Sequence, residues 1–197
     1  MAARRPSDTR ERLLRAGEEL FRLQGYSGTG LKELGRAADA PWGSIYHFFP
    51  DGKAQLGAKV VGHAGAFYGA GWRAAFERFE DVGEAVEWVF LAEARVLVAS
   101  DFRNGCPVAA VTLDAASVSE DLRLACAGAF GLWLGIIEEA LRAAGAPDQT
   151  AAALAAFLLS AIEGAIILSR AAKSPEPLLQ SARFVRSVID REAATWT

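Results

Sequence analysis

Two cysteines, two histidines and one methionine among 197 residues leave little room for sulfur or metal chemistry. Two cysteines cannot build a disulfide framework, so a reducing cytoplasm is the expected compartment. The first residues, Met-Ala-Ala-Arg-Arg-Pro, lack the apolar stretch and cleavage site of a secretory leader. His63 has no Cys, His or carboxylate at ligand spacing in the sequence, so neither a structural metal nor a cofactor is expected. A nucleophile elbow, a phosphate loop, a dinucleotide fingerprint and a Cys-x-x-Cys pair are all missing. The paired carboxylates Glu138-Glu139 and Glu84/Glu87 are of the kind that any solvated helix face carries. An enzyme therefore has no feature to stand on. Strict period-2 alternation between turn signals is missing too, which excludes a sheet.

What is present is apolar and helical. Hydrophobic residues make up 52% and charged residues 23%, a globular composition large enough to bury a core. The net charge of −3 conceals an asymmetry. Residues 1–60 carry ten Lys/Arg against seven Asp/Glu, and residues 61–197 carry eleven against seventeen. A mildly basic head on an acidic body suits a nucleic-acid-binding module joined to one with another task.

One stretch approaches membrane length. Ala151 to Ser169 has nineteen residues and a single charge, Glu163. About half of them are Ala, Gly or Ser, and Glu163 at mid-membrane would cost roughly 2.5–3.5 kcal/mol or more. A helix apolar on nearly all faces is equally suited to a large core or a subunit interface, and that is the expectation; no membrane partner is foreseen.

Breakers and caps divide the chain into about nine helices. Asp8 with Glu11 forms a capping pair for the first, which stops at Gly25. Thr29 suits the N-cap of a second helix carrying Leu31, Leu34, Ala37 and Ala38. Asp39-Ala40-Pro41 breaks it, and a compact segment from Trp42 to Phe49 ends at Pro50. A long helix opens at Gly52-Lys53 and reaches about Phe79, and another runs from Asp81 or Val82 to about Ser100. Asn104-Gly105-Cys106-Pro107 is a turn into a short helix. Further helices run from Ser119 to Ala144, from Pro147-Asp148 to about Lys173, and from Pro177 to Ala194. An all-α, two-domain fold follows, divided as 1–55 and 56–197.

Two short helices joined by a tight turn read as a helix-turn-helix, whose second helix enters the DNA major groove. The run Tyr46-His47-Phe48-Phe49, closed by Pro50 and Lys53, makes that reading specific. Residues 8–60 resemble the DNA-binding domain of TetR-family transcriptional regulators. Thr29, Leu31, Leu34, Ala37 and Ala38 match the family's second helix and its contact with the third. Gly43, Ser44, Ile45, Tyr46, His47, Phe49 and Lys53 match its recognition-helix run. The usual Gly-aliphatic-Ser turn is replaced by Asp39-Ala40-Pro41, where Asp39 tolerates a left-handed backbone and Pro41 lacks a hydroxyl cap. Trp42 stands where many members carry Lys or Arg, and Gly52 is a one-residue insertion. That insertion, Asn104 to Ala110, and Glu163 to Leu178 resemble the LmrA/YxaF-like branch.

The resemblance implies a DNA-contacting set of Thr29, Lys32, Trp42, Gly43, Ser44, Tyr46, His47 and Lys53. Physical chemistry gives several of them a task. Gly43 lets backbone approach DNA, the hydroxyls of Ser44 and Tyr46 suit phosphates, and His47 can reach a base edge. Lys53 adds a charge at a helix N-terminus. Phe49 reads as packing. Arg4 and Arg5 form either a DNA-reaching arm or a solvated end. Cys106 and Cys126 are either small buried thiols or a redox pair.

Past residue 60, aromatic rings spread over several helices suggest an apolar pocket. Its expected lining is Trp72, Trp88, Phe130, Trp133 and Phe157, with Glu163 or Asn104 as polar anchors. The resemblance implies a homodimeric repressor that binds a palindromic double-stranded DNA operator and is released by a small lipophilic or aromatic effector. The alternative is a helical small-molecule-binding protein that has lost operator recognition, for which Trp42 is the motive. A dimer through the last two long helices is expected from their small residues and from Leu158, Leu159, Ile162, Ile166 and Ile167.

Overall fold

A computed structural model describes residues 6–196, and Arg4 and Arg5 lie outside them. Among the described residues the chain forms nine helices and no strand: α1 Pro6–Gln24, α2 Leu31–Ala37, α3 Trp42–Phe48, α4 Lys53–Arg78, α5 Val82–Ala99, α6 Pro107–Ala115, α7 Glu120–Ala143, α8 Asp148–Ala172 and α9 Glu176–Ala193.

The helix ends follow from a few residues. Gly25 at φ +78° and Gly145 at φ +103° take left-handed backbone where α1 and α7 stop. Asp81 caps α5 by accepting from the Glu84 amide at 2.8 Å. Pro107 sits in the first turn of α6, where its missing N–H costs nothing. Two expected caps are corrected. Helix α1 begins two residues before Asp8, which therefore lies in the first turn, while Glu11 bonds Arg15 and His63 instead. Helix α2 is entered from Gly30 without a side-chain cap. Thr29 is buried, and its hydroxyl donates to the Gly25 carbonyl at 2.8 Å. It closes the α1–α2 loop by satisfying a carbonyl one residue past the end of α1.

The chain packs as two compact units. One comprises the residues up to Gly65 together with Cys106–Phe130; the other comprises Ala66–Gly105 and the chain from Gly131 onward. These are units of packing, and the division of labour at residue 55 remains a proposal about function. In the first, Leu13, Phe21, Leu34, Ile45, Phe49, Leu56 and Val60 are all at or near zero exposure. Burying each such side chain is worth about 1.5–3 kcal/mol. Gly17 lets α1 and α4 touch, since a Cβ there would lie 2.5 Å from Val60. His63 ties the same helices polarly: Nδ1 is 3.0 Å from Glu18 and Nε2 is 3.1 Å from Glu11. The histidine that looked solitary in the sequence is flanked in space by two carboxylates.

In the second unit α5 packs on α8 and α9. Helix α8 buries Leu154, Leu158, Leu159, Ile162 and Ile166, and α9 contributes Leu178, Ala182, Val185 and Ile189. Both α7 and α8 are long and apolar enough to cross a membrane by length and composition, and α8 spends much of its apolar surface on these contacts.

Candidate nucleic-acid interface

The turn between α2 and α3 is built on Asp39 at φ +47°, a left-handed conformation that aspartate adopts more readily than most residues. Amides of the turn are satisfied locally: Ala38 donates to Leu34 O, Asp39 to Arg36 O and Ala40 to Gly35 O. Pro41 stands at the N-cap of α3 with no side-chain bond, and the Ser44 amide donates to its carbonyl at 2.9 Å. The helices touch through Gly35, where a Cβ would come 3.3 Å from Ile45 Cδ1. Ala38 is buried as expected and Ala37 is exposed, so the close contact belongs to Gly35, which the sequence reading passed over. A glycine inside a short helix was the available signal.

Helix α3 has two chemically distinct sides. Ile45 inside it, and Phe49 just beyond its end, are buried to 0% and 1%. Trp42 and Tyr46 are 47% and 48% exposed and meet edge to face at 5.8 Å. Gly43 and His47 are exposed, Ser44 is half-buried, and a Cβ at Gly43 would meet nothing within 4 Å. Lys32 on α2 is exposed as well. An open notch of about 640 Å³ beside the turn is lined by Thr9, Arg12, Gly35, Arg36, Asp39, Ala40, Pro41 and Ser44. Arg12 bridges it, donating to the Asp39 carbonyl at 3.2 Å.

Two members of the expected set differ from the rest. Thr29 is 1% exposed, so it supports the loop and offers no hydroxyl to a ligand. Lys53 is half-buried, with its ammonium 4.3 Å over the Tyr26 ring. Burial pulls its pKa down, and Asp114 on α6 partly restores it. Gly52, just before it, takes φ +74°, and its amide bonds the Phe49 carbonyl at 2.9 Å. The inserted glycine thus supplies a left-handed residue between α3 and α4.

The expected pocket rings fall into separate local groups. Trp72 stacks on Phe76 at 5.9 Å, four residues along the same helix. Trp88 pairs with Phe79 at 6.2 Å, with Arg78 over both rings. Trp133 meets Tyr68 edge on at 6.0 Å. Phe130 is assigned to the first unit, and the other four to the second. Phe157 is 40% exposed in a groove of about 340 Å³ with Ala161, Gln180, Ser181, Phe184 and Val185. Glu163 is half-buried and engaged in a polar interaction. Trp72 thus has a ring partner one turn along α4, and Trp88 has one at Phe79, just past the end of that helix. Cys126 is buried, which pushes its thiol pKa up; Cys106 caps α6, its sulfur accepting from the Ala109 amide at 3.4 Å.

Comparison with known proteins matches the same regions. Residues 13–60 match the model of bacterial regulatory proteins of the tetR family, and residues 83–184 match the C-terminal domain of LmrA/YxaF-like transcriptional regulators. The HTH-type transcriptional regulator LmrA of Bacillus subtilis is 34% identical, over 93% of this chain and 98% of its own. YxaF from the same organism is 31% identical, over 94% and 97%. Among solved structures, a TetR regulatory protein from Rhodobacter sphaeroides aligns with a TM-score of 0.80 at 26% identity, covering 90% of this chain and 96% of that one. The reduced form of Escherichia coli NemR aligns at 0.74 and 26%, covering 92% and 97%.

Proposed function

The chain belongs to the TetR family of transcriptional regulators, in its LmrA/YxaF-like branch, and we propose that it is a dimeric, cytoplasmic repressor released from its operator by a small lipophilic or aromatic effector. The observation that carries DNA binding is the two-sided α3: Ile45 is wholly buried while Trp42, Gly43, Tyr46 and His47 face outward. Such a helix is fixed on one side by the core and free on the other to enter a major groove. Lys32 and Ser44 supply phosphate contacts and Lys53 a cation. Repression is supported by relatives named repressors, NemR among them. No enzymatic role is proposed, because the outward residues form a recognition surface with no nucleophile–base pair.

Residues 1–55 carry operator recognition, and 56–197 carry effector binding and dimerisation. Effector binding is assigned to the rings around Tyr68, Trp72 and Trp133, with Glu163 as a polar anchor; Trp88 and Phe157 have their nearest described neighbours elsewhere. Release follows from linkage: a ligand loosens DNA by as much as it prefers the state that binds DNA poorly. No membrane partner is proposed, because α8 buries Leu154, Leu158, Leu159, Ile162 and Ile166 in the protein core and carries Glu163 in its middle.

The test is a gel shift on the DNA upstream of the protein's own gene, over a range of salt. Wild type should retard one fragment selectively. His47→Ala should weaken that fragment by about 1–3 kcal/mol while leaving competitor DNA unchanged, and Tyr46→Ala, which removes a phosphate contact, should weaken both. Equal loss on every sequence in His47→Ala would assign that residue to general affinity and remove it as the reader.

A further inference from the structure

The last turn of α6 inserts a carboxylate into the α1–α2 loop. Asp114 Oδ2 accepts the Ser27 amide at 3.1 Å. The fit is close: a Cβ at Gly25 would lie 2.5 Å from the same oxygen, and Gly25 already holds φ +78°. Beside it the Lys53 ammonium sits over the Tyr26 ring and feels the attraction of the Asp114 charge. Tyr26 in turn is wedged between Phe21, edge on at 5.4 Å, and Gly57, whose Cβ would lie 2.8 Å from the Tyr26 ring. The lysine at the start of α4 is thus held over a ring, with an acid bonded to the next residue of the same loop near enough to attract it.

We propose that Asp114 is an affinity-setting residue of the DNA-binding head, an internal anion that competes with operator phosphate for Lys53. This rests on the reading of Lys53 as a phosphate contact. A cation already attracted by a neighbouring carboxylate releases fewer counterions when DNA arrives, so both the affinity and its salt dependence are reduced while that charge stands. The acceptor role and the charge of Asp114 are separable. Asparagine keeps an oxygen for the Ser27 amide and drops only the charge.

The experiment compares wild type, Asp114→Asn, Lys53→Ala and the double variant for operator affinity between 50 and 300 mM salt, with thermal melts of each. Asp114→Asn should melt like wild type and bind about two- to fivefold more tightly, the size of a solvent-screened attraction between unlike charges. Its plot of log affinity against log salt should steepen by up to about one unit. In the Lys53→Ala background the same change should do nothing. Unchanged affinity and slope in Asp114→Asn would overturn the proposal. So would weaker binding, which marks Asp114 as a brace, or equal tightening in both backgrounds, which marks a general charge effect. Titration of Lys53 by NMR after reductive methylation reads the pair without DNA: Lys53 should lose its proton at lower pH in Asp114→Asn. An unshifted titration refutes the pairing itself, whereas a shifted titration in a protein that binds no operator refutes only the phosphate contact.

Discussion

The guanidinium of Arg170 lies against the α-carbon of Gly105, so that a Cβ at that position would meet Nη1 at 2.5 Å. From there Nη2 donates to the Arg103 carbonyl at 3.1 Å. The two C-terminal stretches that resemble the LmrA/YxaF-like branch are thereby joined in space. The loop they hold is strained: Asp101 and Phe102 are consecutive non-glycine residues at φ +52° and +57°. Arg170→Ala should lower unfolding stability by about 1 kcal/mol, the net worth of an exposed hydrogen bond of this kind. Gly105→Ala should do the same by displacing the arginine, and the double variant should cost no more than either alone. Chemical denaturation of the three proteins checks it; additive losses would show that the two residues act separately.

Much of this was legible in the sequence because helices announce their ends. Gly25, Asp81, Pro107 and Gly145 all stand where local chemistry puts a stop or a start, and the nine-helix order follows from them. Asp39 in the α2–α3 turn was legible for the same reason. What the sequence hides is choice among partners. Thr29 suits a cap and a loop equally, and only the folded loop decides. His63 finds its carboxylates 45 and 52 residues away. Rings spaced for a pocket also suit pairing with a neighbour one turn along, as Trp72 and Phe76 do. Lys53 reads as an exposed cation until Asp114, 61 positions later, is folded beside it.

Two buried hydroxyls give opposite expectations. Thr29 donates to the Gly25 carbonyl and accepts from Gln24 Nε2 at 3.4 Å. Thr29→Val strands that carbonyl in a buried setting and should cost about 1–3 kcal/mol. Ser169 on α8 is 0% exposed, and its Oγ has no hydrogen-bond partner. Ser169→Ala removes an unpaired polar atom and should be neutral or stabilising by up to about 1 kcal/mol. Denaturant midpoints decide both, and a loss above 1 kcal/mol in Ser169→Ala would reveal a partner for that hydroxyl.

Acid should loosen the seam between α1 and α4. The Glu11 pKa is lowered, first by its hydrogen bond to Arg15 at 3.1 Å, which outweighs the opposing effect of burial, and further by the hydrogen bond and charge of His63. A depressed carboxylate contributes stability that is present above its ordinary value and lost as pH falls through the folded-state value. The window therefore lies on the acid side of the ordinary glutamate range. Glu11→Gln should be less stable than wild type at neutral pH, and the gap should close as pH drops through that window. A gap that stays constant with pH would mean the contribution is packing and not charge.

A dimer through α8 and α9 has to use side chains that the protomer leaves exposed. Leu158, Leu159, Ile162 and Ile166, expected at the interface, are each buried within the protomer. A charge at Ile166 would stand unpaired in that core and should unfold the protein. The apolar area left outside on α8 and α9 is Phe157, Ile167, Leu168 and Phe184, between 40% and 61% exposed. Phe157 and Phe184 face one groove with Ala161 and Ser181, and the α8 positions around it are small: Ala153, Ala156 and Ser160 are exposed, and a Cβ on Gly164 would meet nothing within 4 Å. Small residues beside large ones let two copies of these helices approach closely and bury the phenylalanines between them. Phe184→Asp should therefore leave the helical content and melting of the protomer close to wild type. It should shift sedimentation from dimer to monomer, with selective operator binding lost over the same concentrations, because half-sites about 34–36 Å apart need two linked heads. A Phe184→Asp protein that still sediments as a dimer would move the interface off α8 and α9.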